Sequence, residues 1–557
     1  MMAMTANMTM ALNQTPNHFP ENLTSRFFVF ARENPDKLAL VEPLQWTEAK
    51  VTEERRWSYS QLAAFVQTFQ RRLDSEKFKP GDHILILLPI SVRMYALVAA
   101  CLGNGLIPIF IDVTLPKEQF LKALKIAQPK AVFSTAKLFR YRFVLPTLWR
   151  ARLYDFDQSG FKIRDFERIS AHTQGSSANG SAPSEDFRIE TPRKPSDEAL
   201  ITFTSGSTGV PKAADRRFDI VYHQREISKS IWTEGENDVE LTAFPLVVLN
   251  NLAFGVSTVI PILSREGGLD AIPMACWADQ VRRFSVTRLI APPSILQRMA
   301  LADEDSKKAF GKIERLVTGG APVPTWLMKR VRKFLPHSRN YVVYGSTEAE
   351  PMAHISFDEV IAAQGDGYLV GRAIPEIALK IVSPLPATPE AQSFNSAQQV
   401  QPGKSGEIFV SGPHVVERYL FNSRDNLTTK FRDSDSRSWH RTGDTGYFDT
   451  HSNLWLTGRL SDRVNLHGEM TDVYPIEHAV ENLLERRAAV IAGKDQEIRL
   501  YVECADPDRN LSETEKILLK EKWQALGLKS APVFVDRLPV DQRHFWKIDR
   551  HKLRNGF

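Results

Sequence analysis

The sequence has 557 residues, of which 43% are hydrophobic and 25% are charged, as in ordinary folded proteins. This length predicts roughly two to four domains or subdomains. The net charge of +5 comes from 71 basic and 66 acidic residues spread along the chain, which does not favour nucleic acid or an anionic membrane as a partner. Three widely separated cysteines, Cys101, Cys276 and Cys504, argue against a disulfide framework and favour a reducing, cytoplasmic compartment.

Two segments could be mistaken for targeting or membrane signals. Residues 1–18 are rich in Met, Thr and Asn but have no basic region followed by an apolar run, so they predict a disordered leader and not a signal peptide. Residues 94–111 are uncharged, yet Gly103, Gly105 and Pro108 divide them into a helix and a strand. We therefore expect that segment in a soluble core, with no transmembrane segment in the chain.

From residue 38 to about residue 170, apolar strands alternate with helices. Helices are predicted up to about Leu73, from Ser91 and from Pro116, and strands at residues 84–88, 109–111 and 131–133. This alternation predicts a parallel, doubly wound sheet that is covered on both faces, with right-handed crossovers. The fold class is therefore α/β.

Two polar interruptions divide the chain. Residues 171–197 are rich in Ser and Gly and predict a surface linker, and residues 384–404 predict a loop insertion. Between them, further strands end in small-residue or proline turns at residues 241–245, 288–293 and 315–322. Because ligands bind at the carboxyl ends of strands in open α/β sheets, we expect these ends to face one crevice.

The C-terminal part of the chain has a different pattern. After residue 406 the strands become shorter, which predicts a β-rich subdomain, and from Ser461 about a hundred residues form their own helix and strand alternation. We therefore predict a large domain at residues 19–459, after the leader, and a small, mobile α+β domain at residues 460–557.

A loop of small residues follows the apolar run at residues 199–203 and predicts a polyphosphate site. Glycines let backbone N–H groups converge on an anion, hydroxyls add donors, and a lysine ammonium suits pyrophosphate. The spacing of this lysine excludes a Walker loop. The loop comprises Thr204, Ser205, Gly206, Ser207, Thr208, Gly209, Val210, Pro211 and Lys212.

Other short motifs follow in order. They are Gly319-Gly320-Ala321, Tyr344-Gly345-Ser346-Thr347-Glu348, Arg441-Thr442-Gly443-Asp444, Gly458-Arg459 and Lys547-Ile548-Asp549-Arg550. Together with the phosphate loop they resemble the adenylate-forming superfamily of acyl-CoA synthetases, adenylation domains and luciferases, over residues 25–557. The resemblance implies an enzyme that activates a small carboxylic acid with ATP, releases pyrophosphate and forms an acyl-adenylate.

The resemblance also implies roles for the motifs. Residues 204–212 would hold the β- and γ-phosphates. Glu348 would ligate Mg²⁺, and Thr347 would contact the α-phosphate. The adenine would lie between the Tyr344-Gly345 motif and the Gly319-Gly320-Ala321 turn. Asp444 and Arg459 would bind the ribose, and Lys547 would be the catalytic lysine that bridges the carboxylate and the α-phosphate.

The sequence departs from the usual pattern on the acyl and acceptor sides. Ser461 occupies the hinge position where Asp or Lys is common, and Asn465 replaces a lysine implicated in the second step. The histidine expected after Phe244-Pro245 is missing, with Asn250 and Asn251 nearby, so these four are candidate substrate contacts. Arg216-Arg217 also departs from the pattern after the loop lysine.

These departures favour one branch without excluding others. The β-lactone synthetases of long-chain olefin biosynthesis are similar at residues 244–246, 257–261, 320–324 and 538–544. There, the β-hydroxyl of the substrate would attack its own acyl-adenylate. An acyl-CoA, acyl-carrier-protein or free acyl-AMP ligase and a non-catalytic nucleotide-binding relative are the alternatives. The first two of these ligases would need CoA or an acyl carrier protein as a partner.

Overall fold

The computed structural model describes residues 23–135, 150–155, 191–204, 210–229, 231–232, 235, 237–242, 244–263, 272–384, 399–504, 511–528, 530–541 and 545–556. The leader at residues 1–18, most of the linker at 171–197, most of the insertion at 384–404 and the loop residues 205–209 lie outside this part of the chain. The described residues form a mixed α/β structure with a large N-terminal part built on sheets and a smaller C-terminal part, which confirms the predicted fold class.

The strands fall into two large and two small sheets. In chain order up to the middle of the sequence they are β1 Leu38–Trp46, β2 Val51–Ser58, β3 His83–Ile86, β4 Ile107–Phe110, β5 Ala131–Ser134, β6 Arg152–Asp155, β7 Glu198–Thr204, β8 Lys212–Arg217, β9 Val239–Leu241, β10 Ser257–Val259, β11 Arg288–Ile290, β12 Arg315–Gly319 and β13 Arg339–Ser346. The remainder are β14 Ala349–Ser356, β15 Tyr368–Ala373, β16 Ala378–Val382, β17 Gly406–Ser411, β18 Tyr419–Leu420, β19 Lys430–Arg432, β20 Ser438–Phe448, β21 Leu454–Arg459, β22 Val464–Leu466, β23 Glu469–Thr471, β24 Ala488–Ala492, β25 Ile498–Glu503 and β26 Val533–Val535.

Helices cover the sheets and connect their strands. The described helices are α1 Leu23–Glu33, α2 Tyr59–Ser75, α3 Val92–Gly103, α4 Lys117–Ala127, α5 Phe218–Ser228, α6 Pro245–Phe254, α7 Met274–Phe284, α8 Pro293–Ala300, α9 Glu304–Phe310, α10 Thr325–Phe334, α11 Phe357–Ala362, α12 Ser423–Thr429, α13 Tyr474–Leu484, α14 Glu513–Ala525 and α15 Arg550–Asn555. A short 3₁₀ turn, Leu460–Asp462, follows β21.

The first large sheet has seven strands in the order β18-β8-β7-β4-β3-β5-β6. Its strands from β7 to β6 are parallel, as predicted. Successive residues of β3 enter different clusters, since Ile84 and Ile86 pack with α2 and α3 while Leu85 packs with α4. The sheet is therefore covered on both faces, as the continuous apolar runs predicted.

The edge of this sheet at residues 212–217 is antiparallel, and it lies beyond residues 38–170, for which the sequence predicts a parallel sheet. Strand β8 returns antiparallel to β7 and pairs antiparallel with β18 on its other side. The sequence did not indicate β8 because Asp215, Arg216 and Arg217 interrupt its apolar pattern. In the structure these charged groups find partners: Asp215 accepts from Arg418 at 2.7 Å, and Arg217 forms ion pairs with Asp219 and Glu417.

The second large sheet contains fourteen strands, thirteen of them in the order β16-β17-β20-β21-β15-β14-β13-β12-β11-β9-β10-β1-β2. Its middle, from β13 to β1, is parallel, and both flanks are antiparallel. The half-exposed, charged strand β2 closes one edge as a hairpin with β1. The segment around residue 57 is therefore an edge strand of this sheet, and α2 begins directly after it.

Local sequence signals explain where the helices begin. The Ser58 side chain accepts a hydrogen bond from the backbone N–H of Gln61, and the Gln61 side chain accepts from the N–H of Ser58, so a capping box starts α2. Ser91 caps α3 in a similar way. Helix α3 is buried along eleven of its twelve residues, as expected for residues 94–111, and no helix in the described ranges is long and apolar enough to cross a membrane.

The C-terminal part has its own core. The hairpin β22–β23 and the sheet β24-β25-β26 pack with α13 and α14 around Val473, Leu484 and Trp523. A buried ion pair then attaches the last helix: Arg550 donates to the two carboxylate oxygens of Glu477 at 2.7 and 2.9 Å. The boundary between residues 459 and 460 stays a prediction, although the 3₁₀ turn lies at this point.

Candidate active site

The two ends of the predicted phosphate loop belong to neighbouring strands of one sheet. Thr204 at the end of β7 and Lys212 at the start of β8 are antiparallel partners, and residues 205–209 between them lie outside the described part of the chain. The Lys212 side chain is largely buried, and its Nζ lies 3.4 Å from Oδ1 of Asp425 in α12. Antiparallel pairing therefore fixes the distance between the two ends of the loop, and an ion pair holds its lysine.

Thr347 and Glu348 form the two-residue tip of a hairpin between β13 and β14. The side chain of Arg216, in β8, donates to the backbone carbonyl of Thr347 at 2.8 Å. The carbonyl oxygen of Glu348 accepts from the N–H of Val416 at 2.7 Å. Strand β8 and the β13–β14 hairpin, which belong to different sheets, thus meet at this tip.

The Glu348 carboxylate is ionised. Its Oε1 accepts from the hydroxyl groups of Tyr419, at 2.7 Å, and Thr204, at 3.5 Å. Burial alone would raise the pKa of this carboxyl group. His440 and Lys430 in their protonated forms oppose that effect, and with the Tyr419 hydrogen bond they lower the pKa to about 2.

A lysine that the motifs did not indicate lies beside this carboxylate. Lys430, in β19, donates to the carbonyl oxygen of Val416, and its Nζ lies 4.9 Å from the ring centroid of Tyr419. The Nζ of Lys212 lies 5.3 Å from the same centroid. Tyr419 therefore contacts both ammonium groups through its ring, and its hydroxyl group donates a hydrogen bond to Glu348.

Burial also changes the protonation of this cluster. Burial, with a smaller effect from Lys212, lowers the pKa of Lys430 to about 7, although Glu348 favours the charged form. Burial and Lys430 lower the pKa of His440 to about 3, so this imidazole is neutral near pH 7. The charge that stabilises Glu348 at neutral pH consequently comes from Lys430.

A second group of polar side chains lies where β13, β20 and β21 come together. Asp444 and Arg459 are paired residues of β20 and β21, and the Arg459 Nε lies 3.0 Å from Oδ1 of Asp444. The buried Tyr344 donates its hydroxyl proton to Oδ2 of Asp444 at 2.7 Å. Burial, reinforced by Asp444, raises the pKa of Tyr344, which stays protonated. Three separate motifs are thus joined in one hydrogen-bonded unit.

The glycine turn after β12 lies beside the same strand. A Cβ atom on Gly319 would lie 2.4 Å from the carbonyl oxygen of Val343 in β13, so a side chain is excluded there whatever ligand binds. Gly320 has φ +80°, in the left-handed region. A Cβ on Gly345 would lie 3.1 Å from the Ala349 carbonyl. Backbone packing explains Gly319, the left-handed conformation explains Gly320, and the contact at Gly345 is tight. An adenine contact for these glycines and for Ala321 stays a prediction.

Trp546, the residue before Lys547, connects the Lys547 segment to the glycine turn at residues 319–321. The backbone N–H of Lys547 donates to Oδ1 of Asp541 at 2.9 Å, and its side chain is exposed. The preceding residue, Trp546, is buried and donates from Nε1 to the carbonyl oxygen of Pro322 at 2.8 Å. Pro322 directly follows Ala321, so the residue before the predicted catalytic lysine contacts the chain at the end of the Gly319-Gly320-Ala321 turn.

The candidate substrate contacts differ in their surroundings. Phe244 is 37% exposed and precedes the helix that Pro245 begins. The Asn251 amide is buried and donates to Glu240 at 2.9 Å and Thr258 at 3.1 Å, so it already has structural partners. The Oδ1 atom of its neighbour Asn250 is buried without a hydrogen-bond partner among the described residues. Asn250 therefore retains an acceptor for a ligand, and all four substrate roles stay predictions.

The two departures near the predicted hinge have local explanations. Ser461 lies in the 3₁₀ turn and donates to Oδ1 of Asp462 at 3.3 Å. Asp462 also forms an ion pair with Arg550 at 3.2 Å. The Asn465 side chain accepts from the backbone N–H of Gly468 at 2.9 Å and so stabilises the β22–β23 turn. Position 465 therefore carries a turn-forming amide and no positive charge.

Sequence reasoning missed Tyr419, Lys430, Asp425, Arg216 and Trp546. Tyr419, Lys430 and Asp425 lie in a segment between two recognised motifs. The one signal there was Lys430 itself, which stands next to the apolar Phe431 in a short strand and could have indicated a buried charge. Arg216 was noted only as a departure from a family pattern. Trp546 adjoins a recognised motif, but its role depends on a contact with a residue more than two hundred positions earlier.

Residues 27–420 match the family of AMP-binding enzymes, and the chain belongs to this family of adenylate-forming ligases. Olefin beta-lactone synthetase of Stenotrophomonas maltophilia is 27% identical, with 96% of this chain and 97% of that protein aligned. Indoleacetate–CoA ligase of Aromatoleum aromaticum is 26% identical, over 87% of this chain and 91% of the relative. These comparisons confirm the family resemblance and the assignment as an enzyme.

The fold is shared with solved structures at lower identity. O-succinylbenzoate coenzyme A synthetase of Bacillus subtilis, in complex with ATP and magnesium ion, has a TM-score of 0.69 and 21% identity. The match covers 95% of this chain and 99% of that protein. It shows that this chain shares the fold of that synthetase over nearly its whole length.

Proposed function

We propose that this protein uses ATP and Mg²⁺ to convert a long-chain β-hydroxy carboxylic acid to its acyl-adenylate, and that the β-hydroxyl of the same molecule then displaces AMP to form a β-lactone. The observation that carries the second step is Asn465. Its side chain stabilises a hairpin turn at the position where the resembling CoA ligases have a lysine for the second step. The near full-length similarity to an olefin beta-lactone synthetase supports the same step.

The first step joins two anions, so the protein must reduce their repulsion in the transition state. Lys212 and the loop at residues 204–212 would bind the β- and γ-phosphates. Thr347, at the hairpin tip, would contact the α-phosphate. Lys430 adds a second ammonium near these groups, and its pKa of about 7 leaves it partly charged at neutral pH.

Glu348 fits a magnesium ion by its chemistry. It is ionised, and among the described residues both of its side-chain donors contact Oε1. Magnesium is usually bound through one or two carboxylates together with substrate phosphates, so a single carboxylate at a phosphate loop is sufficient. A bound Mg²⁺ would supply Lewis-acid neutralisation of phosphate charge.

The nucleoside would bind at the unit formed by Tyr344, Asp444 and Arg459. Each Asp444 oxygen accepts one protein hydrogen bond or ion pair, and a carboxylate oxygen has a further lone pair for a ribose hydroxyl. Tyr344 would present its ring to the adenine, with Gly319, Gly320 and Ala321 on the other side. Tyr344 would thereby bind the adenine with its ring and orient Asp444, which binds the ribose, with its hydroxyl group.

Lys547 would bridge the substrate carboxylate and the α-phosphate, because its loop is held at the glycine turn. The carboxylate oxygen attacks phosphorus and pyrophosphate leaves. In the second step the β-hydroxyl oxygen attacks the carbonyl carbon, the acyl–phosphate bond breaks, AMP leaves and the hydroxyl proton is released. No external nucleophile is needed, and proximity accelerates ring closure.

The domain division at residues 459 and 460 and a cytoplasmic location are parts of this proposal. The 3₁₀ turn Leu460–Asp462 supports the division, and the free cysteines, of which Cys101 and Cys276 are buried, support a reducing compartment. A ligase that transfers the acyl group to CoA is the second candidate. The 26% identity to indoleacetate–CoA ligase favours it.

The test is product analysis by mass spectrometry with ATP, Mg²⁺ and a panel of 3-hydroxy fatty acids, each with and without CoA. We expect release of AMP and pyrophosphate over many turnovers without CoA, formation of a product lighter than the acid by one water, and no acceleration by CoA. Matched acids that lack the hydroxyl should stop as bound acyl-adenylate after about one turnover. Rapid CoA-dependent turnover of the unsubstituted acids would instead establish the CoA ligase.

A further inference from the structure

Trp546 forms an unusual connection between the two parts of the chain. It lies in the C-terminal part, next to Lys547, yet its side chain packs in a hydrophobic cluster of the large N-terminal part with Trp326 and Val323. It is only 3% exposed, and its Nε1 donates to the Pro322 carbonyl at 2.8 Å. A large aromatic side chain with a satisfied N–H group is a strong, directional anchor.

The loop around Trp546 is also fixed from the C-terminal side. The guanidinium of Arg487, in the turn before β24, lies 4.2 Å from the ring centroid of Trp546 and donates to the Trp546 carbonyl oxygen. Asp541 accepts from the N–H of Lys547, and its own N–H donates to the Lys547 carbonyl, both at 2.9 Å. The backbone on both sides of the lysine Cα is therefore held, while its side chain remains exposed.

Other contacts between the two parts are farther from the lysine in sequence. Tyr368 donates to Glu481 at 2.7 Å, and Arg330 lies 3.4 Å from Glu485. These contacts attach α13 to the large N-terminal part. The Trp546 hydrogen bond differs because it joins the residue next to Lys547 to the residue next to Ala321.

We propose that Trp546 is a positioning residue for Lys547. Its indole packs into the large N-terminal part and donates a hydrogen bond to Pro322. This contact fixes the backbone position of Lys547, from which the lysine ammonium reaches the reacting carboxylate and α-phosphate. This inference rests on the proposed role of Lys547. A long lysine side chain has many rotamers, so fixing its backbone lowers the entropic cost of reaching a single geometry. The step that depends on this bond is acyl-adenylate formation, because that is the step in which Lys547 would act.

The test uses Trp546→Phe in the full chain, because phenylalanine keeps an aromatic ring but cannot donate to Pro322. The assay is carboxylate-dependent ATP–pyrophosphate exchange with the 3-hydroxy fatty acid that the wild-type protein activates fastest. We expect the maximal exchange rate to fall about 3- to 10-fold, as for loss of one hydrogen bond, while the Kd for MgATP stays within about twofold. Trp546→Ala, which also removes the ring, should lower the rate about 10²-fold.

A second measurement does not depend on the substrate. Hydrogen–deuterium exchange of the backbone amides of Asp541 and Lys547 should become faster in Trp546→Phe, since these amides are held by the same loop. Tyr368→Phe is the matched control: it keeps the ring but removes the hydrogen bond to Glu481, a contact between the same two parts that does not involve the Trp546 cluster. It should leave both the maximal exchange rate and the two amides unchanged.

The outcomes separate this inference from the proposed function. Unchanged pyrophosphate exchange in Lys547→Ala would refute the role of the lysine itself. If Lys547→Ala abolishes exchange but Trp546→Phe retains the wild-type rate and amide protection, only the positioning role fails. An equal loss in Tyr368→Phe would mean that general docking of the two parts is responsible. A rise in the Kd for MgATP in Trp546→Phe would mean that Trp546 supports the glycine turn instead.

Discussion

Replacing Glu348 by glutamine should destabilise the protein, although removal of a charge from a largely buried site often has the opposite effect. The pKa of Glu348 is lowered from 4.5 to about 2, so the folded state favours the ionised form by about 3 kcal/mol at about 1.4 kcal/mol per pKa unit. The residue Glu348 is partly exposed, so solvent screening reduces this value. His440 is neutral near pH 7 and does not contribute a charge there, which reduces the value further. We expect Glu348→Gln to lower the free energy of unfolding by about 1–2 kcal/mol at pH 7.

The sign follows from the direction of the shift. A carboxyl group whose pKa is lowered on folding adds stability above its unfolded pKa of 4.5, and this stability is lost as the pH falls toward about 2. Thermal unfolding at pH 7 without nucleotide or Mg²⁺ measures the effect. Lys430→Met and the double variant complete a mutant cycle that measures the coupling between Glu348 and Lys430. The ammonium of Lys430 attracts the Glu348 carboxylate but not a neutral glutamine amide.

A coupling between Glu348 and Lys430 of about 1 kcal/mol or more would support the electrostatic cause. A Glu348→Gln variant that is as stable as the wild-type protein, with additive effects in the cycle, would refute it. The same variant should need a higher Mg²⁺ concentration for pyrophosphate exchange, because an amide is a weaker ligand for a hard cation. Unchanged magnesium dependence would leave Glu348 with a structural role alone.

Further substitutions test other parts of the site. Lys547→Ala should lower pyrophosphate exchange by about 10²-fold or more while MgATP still binds; exchange at the wild-type rate would contradict this role. Tyr344→Phe loses the hydrogen bond to Asp444 and should raise the KM for ATP about 3- to 10-fold, which initial rates measure. Burial raises the pKa of Glu481 from 4.5 to about 8, so stability should decline as the pH rises through this window, and thermal unfolding of Glu481→Gln should show a flatter decline.

The fold class could be predicted from sequence because each parallel strand is a short apolar run between helices with recognisable caps. Ser58, Ser91 and the turn at Gly103-Asn104-Gly105 determine boundaries through local hydrogen bonds or backbone freedom. Antiparallel strands β2 and β8 were harder to predict. Both carry several charged residues whose partners are distant in sequence, so local periodicity does not indicate that they are strands.

The candidate site shows a similar division. Motifs such as those at Tyr344 and Asp444 were recognisable in sequence, and their direct hydrogen bond agrees with a shared site. The groups that adjust the charge of Glu348 were not recognisable, because Tyr419 and Lys430 act through their positions in three dimensions. Protonation depends on burial and on neighbouring charges, and neither can be read from a linear pattern.

The 3₁₀ turn after β21 restricts how the two parts of the chain can move. Arg459, on one side, is tied by its ion pair with Asp444 to β20 of the large N-terminal part. Asp462, on the other side, is tied to Arg550 and through it to the core beneath the last helix. Only the backbone torsions of Leu460 and Ser461 lie between these two anchors. A rotation at the predicted hinge would therefore take place about these two residues, and the C-terminal part would turn on a short pivot.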